Sequence, residues 1–76
     1  MNRIYDPDLI AERVRFVREK LAGKSIRDFA EDLQTTPASV RRWERGQDVP
    51  CTYFLFMLCS DYHVSANWLL GLSNRR

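Results

Sequence analysis

From Cys51 to Asn74 the chain has no lysine and no arginine. Apart from Arg75 and Arg76, all the positive charge therefore lies before Cys51, and any surface built for an anionic partner must lie there too. Acidic residues are interleaved with it and the formal net charge is only +2, so this is a patch and not a basic tail. Cysteine is scarce. Cys51 and Cys59 form no C-x-x-C pair. On or near one helix, at about 1.5 Å of rise per residue, their separation is too great for a disulfide. With the single histidine, His63, they match no common zinc spacing, so no metal and no cofactor is expected. The thiols read as small packed side chains in a reducing, cytoplasmic setting. His63 reads as a turn residue without chemistry. Long apolar runs, a signal peptide, repeats and low-complexity stretches are all missing, so no membrane partner is expected. Serines and carboxylates are present, but no nucleophile–base pair is suggested. A pocket is not expected in 76 residues, which argues against an enzyme and a small-molecule substrate.

What is present is one small domain of ordinary hydrophobic content, 45%. Residues 1–8 read as an N-terminal arm, 9–72 as the domain and 73–76 as a polar tail. Asp6-Pro7-Asp8 supplies a cap, a first-position proline and an acidic first turn. Ile10, Val14, Val17 and Leu21 then mark an amphipathic helix that Gly23 breaks. Thr52 to Tyr62 reads as a fourth helix with Leu55, Leu58, Cys59 and Tyr62 inward. Its run Tyr53–Cys59 is apolar nearly all round, and a strand is the alternative. Ser65 caps a fifth helix, Val64 and Leu69 suit a hydrophobic staple, and Gly71 ends it.

Two short helices lie between. Ser25 caps the second, with Asp28 three residues on, and Ile26, Phe29, Ala30 and Leu33 form its apolar stripe. Only Gln34 and Thr35 separate it from the third. There Thr36 caps, Pro37 fits the first position and Gly46 suits a left-handed end. Val40 and Trp43 share one face, and Arg41, Arg42 and Arg45 lie on the others. Arginine suits forked contacts with phosphate and guanine, although a basic face can also serve only to meet water. A turn this tight makes the helices cross steeply, and Ala30 supplies the small side chain such a contact needs.

This pair resembles a helix-turn-helix unit. With Leu33, Val40, Glu44, Gly46, Pro50 and the later Trp68-Leu69-Leu70-Gly71, residues 9–72 resemble the Xre family of phage repressor and Cro-type DNA-binding domains. The resemblance implies an all-α, five-helix, lambda-repressor-like fold. It also implies an ion pair between Arg18 and Glu44, and positive φ at Gln34, where the family usually has glycine. Ile26 replaces a glutamine that often touches the DNA backbone. One extra residue falls around Ala22-Gly23-Lys24.

The resemblance further implies sequence-specific binding of double-stranded DNA by a bacterial or phage transcriptional regulator, with repression expected and the third helix in the major groove. DNA-contact positions then fall on Thr36, Pro37, Ala38, Ser39, Arg41 and Arg42. Arg42 is the expected guanine reader, Arg41 and Arg45 grip phosphate, and Ser25 begins a helix able to hold a phosphate. Pro37 and Ala38 offer only apolar contact, for instance to a thymine methyl. Tyr53, Phe54 and Met57 occupy positions that are usually polar in the family, which suggests an apolar patch and a homodimer. The alternative, favoured by Ile26, Pro37, Ala38 and the apolar fourth helix, is a protein-interaction module that kept the fold and lost DNA binding.

Overall fold

The computed structural model describes residues 4–76. The part of the expected arm before Ile4 lies outside the described residues. Among those residues there are five α-helices and no strand: α1 (Pro7–Phe16), α2 (Ile26–Leu33), α3 (Pro37–Glu44), α4 (Thr52–Tyr62) and α5 (Ala66–Leu69). Four of the five starts, all but that of α4, have a side-chain cap. Asp6 accepts from the amides of Asp8 and Leu9. Ser25 accepts from Asp28, Thr36 from Ser39 and Ser65 from Trp68, each at 3.0–3.1 Å. Every one of these oxygens satisfies an amide that the first helical turn leaves without a partner.

The first helix does not end at Phe16. It continues as a π-helical turn over Val17–Ala22, closed by Gly23 at φ 63° with its N–H bonded to the Arg18 carbonyl. A π-turn spans one residue more than an α-turn, so the surplus residue near Ala22-Gly23-Lys24 is absorbed without breaking the chain's path. It also corrects the expected apolar stripe. Val17 is fully buried, but Leu21 is exposed, because the wider turn rotates less per residue and carries it off the face.

The core gathers Ile10, Val14 and Val17 with Phe29, Ala30, Leu33, Val40, Trp43, Leu58, Val64, Trp68 and Leu69. Full burial of a side chain such as Phe29 or Leu33 contributes about 1.5–3 kcal/mol. Ala30 is wholly buried. Gln34 has φ 59°, as expected, and its amide and that of Thr35 close the turn onto Glu31 and Ala30. This turn fixes where α3 leaves α2.

Helix α4 corrects the sequence reading twice. Phe54 and Met57, expected on an exposed patch, are half-buried and pack against the core. Phe54 lies on Trp43, ring centroids 5.2 Å apart. Tyr53 stays exposed, and Phe56, absent from the expected patch, is 64% exposed. The physical reason is that Trp43 needs a cover, and α4 turns Phe54 towards it. Between α4 and α5 this leaves a groove of about 430 Å3, lined by Leu55, Phe56, Cys59, Ala66 and Leu70 with Thr52 at its edge.

The polar tail also differs from its expected role as a plain tail. Ser65 donates to the carbonyls of Arg75 and Arg76, and Arg13 donates to the carbonyls of Trp68 and Ser73 and to Asn74 Oδ1. The Arg76 guanidinium lies 5.0 Å from the centre of the Phe16 ring. Arg13 thus ties Trp68, Ser73 and Asn74 to α1.

Candidate nucleic-acid interface

The site is α3 and the loop after it. Its inner face is closed by Val40 and Trp43, both buried. Its lower end is held by Glu44, whose side chain is 3% exposed. Arg18 grips that carboxylate with a two-pronged contact, Nε to Oε2 at 2.6 Å and Nη2 to Oε1 at 2.9 Å. Arg15 adds a third contact at 3.4 Å. The free Nη1 of Arg18 donates to the Lys24 carbonyl at 3.0 Å, which ties the π-turn into the same knot. The hydrogen bond to Glu44 raises the Arg18 pKa most. Burial opposes it, and the charges of Glu44 and Glu19 add to it. The expected pair is present, and Arg15 joins it. Arg15 lies three positions before Arg18 on the same helical side, a spacing that could have disclosed it.

With Glu44 neutralised inside, the outer face of α3 is left basic. Arg41, Arg42 and Arg45 are exposed, and Arg41 and Arg45 form no ion pair among the described residues. At the helix start, Thr36 and Ala38 are exposed, while Pro37 and Ser39 are half-buried. Thr36, Ser39 and Arg42 are brought together. The Thr36 hydroxyl donates to Ser39 Oγ at 3.0 Å, and Arg42 Nη2 donates to the same oxygen at 3.4 Å. Asp48, in the following loop, approaches Arg42 Nε to 4.0 Å. Nothing in the sequence pattern points to that contact. Ser25 stands apart at the start of α2. Its side-chain oxygen is occupied by the Asp28 amide, and it shares no hydrogen bond with the α3 group.

Elsewhere, Cys59 and Tyr62 have raised pKa values. Burial is the cause for the thiol, and burial first, then the Asp61 charge, for the phenol. Among the described residues no group of three His, Cys, Asp or Glu side chains is placed to hold a metal ion. No helix there is long and apolar enough to cross a membrane.

A short capped helix that follows another across a tight turn, with Gln34 left-handed in that turn and a basic outer face, is the arrangement of a helix-turn-helix domain. Residues 14–69 match the family described as Helix-turn-helix, and the chain belongs to it, in its Xre type. The chain is also similar to the HTH-type transcriptional regulator DicA of Escherichia coli (strain K12). The two are 36% identical over 61 residues, covering 80% of this chain and 44% of that protein. The chain thus spans less than half the length of this curated relative. Among the solved structures nothing matches.

Proposed function

We propose that this chain is the DNA-reading domain of a bacterial or phage transcriptional regulator, acting in the cytoplasm and repressing by occupying its site. The observation that carries this reading is the outer face of α3. Three exposed arginines stand on a helix whose inner face and lower end are locked by Trp43 and the Glu44 ion pair. Helix α3 enters the major groove with its N-terminal half against base edges. Arg42 forks onto guanine O6 and N7, Arg41 and Arg45 hold phosphates, and Thr36, Ser39 and Ser25 add polar contacts. Pro37 and Ala38 meet the bases through apolar contact alone. The helix-turn-helix family is a family of regulator domains and not of enzymes.

A homodimer completes the proposal. Phe56 is exposed at the groove between α4 and α5, Tyr53 is exposed three positions before it on α4, and the segment around them has almost no charge to keep two copies apart. A two-fold contact there covers this surface and lets two copies of α3 read a pseudo-palindrome about 34 Å apart. In place of the expected Tyr53, Phe54 and Met57 patch, Tyr53 and Phe56 become its anchors.

The test is selection of bound duplexes from a random pool, followed by a salt series. Arg42→Ala should lose about 1–3 kcal/mol on the selected site and relax one base pair. Arg45→Ala should weaken all sequences alike and lower the salt slope by about one. No selected sequence, together with salt-independent or absent binding, would favour a protein-interaction module instead. Phe56→Glu should convert a dimer to a monomer in sedimentation, and a wild type that is monomeric at high micromolar concentration would remove the dimer.

A further inference from the structure

Arg42 is not a free side chain. A polar relay runs along the outside of α3 from the helix cap to the following loop. The Thr36 hydroxyl donates to Ser39 Oγ at 3.0 Å, and Arg42 Nη2 donates to that oxygen at 3.4 Å. On the other side of the guanidinium, Nε faces Asp48 Oδ2 at 4.0 Å. Asp48 is itself held, because its Oδ1 accepts from the Val49 amide at 2.9 Å. One carboxylate oxygen therefore holds the adjacent Val49 amide while the other faces the arginine.

We propose that Asp48 is a positioning residue that sets the base preference of Arg42, an inference that rests on the DNA-reading role of α3. An arginine has many rotamers, and ordering them on binding opposes recognition. Asp48 and Ser39 restrict that freedom before DNA arrives. They also select which edge of the fork is offered. The Nε side is turned to the carboxylate and one Nη2–H to Ser39, so Nη1 and the second Nη2–H are left to meet guanine O6 and N7 end-on. The carboxylate has a second effect. Near a phosphate backbone it repels, so it lowers affinity for DNA of any sequence while sharpening the choice at one base pair.

Asp48→Asn is the test, because the amide oxygen can still accept from Val49 while the charge facing Arg42 is gone. Competition binding is measured on the selected duplex and on duplexes changed at the base pair that Arg42→Ala relaxes. The expected result is a threefold to tenfold loss of discrimination at that pair alone, with affinity for random DNA raised. In an Arg42→Ala background, Asp48→Asn should no longer alter base preference. Free of DNA, the Arg42 Nε–H should be more mobile by NMR relaxation in Asp48→Asn than in the wild type. Full discrimination in Asp48→Asn, or equal loss in the Arg42→Ala background, overturns the proposal. Those outcomes leave the DNA-reading role standing. A wild type that binds no duplex in a salt-dependent way removes that role itself, and an unchanged Nε–H relaxation then removes the positioning of Arg42 as well.

Discussion

Replacing Arg18 by methionine is the sharpest test of how α3 is held. Glu44 is almost wholly buried, at 3% side-chain exposure, and Arg18 is 12% exposed. The methionine stem fills much of the volume of the arginine stem, so the loss comes chiefly from the charge left behind and not from a cavity. Removing one partner of a buried pair costs about 3–5 kcal/mol. Arg15 stays 3.4 Å from the carboxylate, with its own side chain about half in water, and this pulls the loss towards the low end. About 1 kcal/mol of that loss belongs to the Lys24 carbonyl, which loses its donor. A loss of about 3 kcal/mol is therefore expected, a large part of the roughly 5–15 kcal/mol that holds a domain together.

The assay is urea unfolding followed by circular dichroism at neutral pH. With a slope of about 1 kcal/mol per molar, the low end for small domains, the midpoint should fall by about 3 M. The raised Arg18 pKa gives the sign for pH. A cation whose folded pKa lies above its unfolded value stabilises fully below the unfolded value, and loses that only at more alkaline pH than folding is measured. The loss should thus be present at neutral pH. Adding Glu44→Leu to Arg18→Met should restore most of the stability, since apolar replacement of both partners is often neutral or better. A single-variant loss below about 1 kcal/mol, the worth of an exposed ion pair, would refute the buried-pair reasoning. No recovery in the double variant would refute it as well.

Three further outcomes are expected. Gln34→Gly should leave stability unchanged or raise it by up to about 1 kcal/mol in the same assay, because relief at φ 59° competes with added freedom in the unfolded chain. Gly46→Ala should lower the thermal midpoint by an amount equivalent to about 1 kcal/mol, since its backbone is at φ 72° and the new methyl would sit 2.6 Å from Asp8 Oδ1, which can swing aside. Stability should also decline as pH rises through about 9 and then 10: Cys59 and Tyr62 both have folded pKa values above their ordinary 9.0 and 10.0, so each favours the fold below its ordinary value and loses that as it ionises, and Tyr62→Phe should flatten the upper part of the decline.

The parts legible in the sequence are those decided within one helical turn. Asp6, Ser25, Thr36 and Ser65 all cap helices because a side-chain oxygen needs only an amide two or three residues away. Gln34 was placed in the left-handed region because the resemblance puts the tight turn between α2 and α3 at that position. The exposed arginines of α3 followed from Val40 and Trp43 claiming the inner face. The Arg13 contacts were not legible, because their partners lie more than fifty positions away and carry no local signal. Nor was the Arg42–Asp48 approach, since an exposed acid in a loop looks the same whether or not a cation stands beside it.

Helix α4 shows why an apolar helix is the hardest to orient. A helix with a polar side announces its inner face through periodicity. Helix α4 is apolar nearly all round, so periodicity cannot choose, and only its neighbours do. The neighbour that decides is Trp43, which is 4% exposed because Phe54 lies over it. Covering that ring keeps water from the back of α3, so Phe54 supports the candidate DNA face and is lost to any partner surface. Phe56, two positions on, points another way and has no such ring to cover. The apolar surface that a second molecule could meet is therefore what remains of α4 after α3 has been braced.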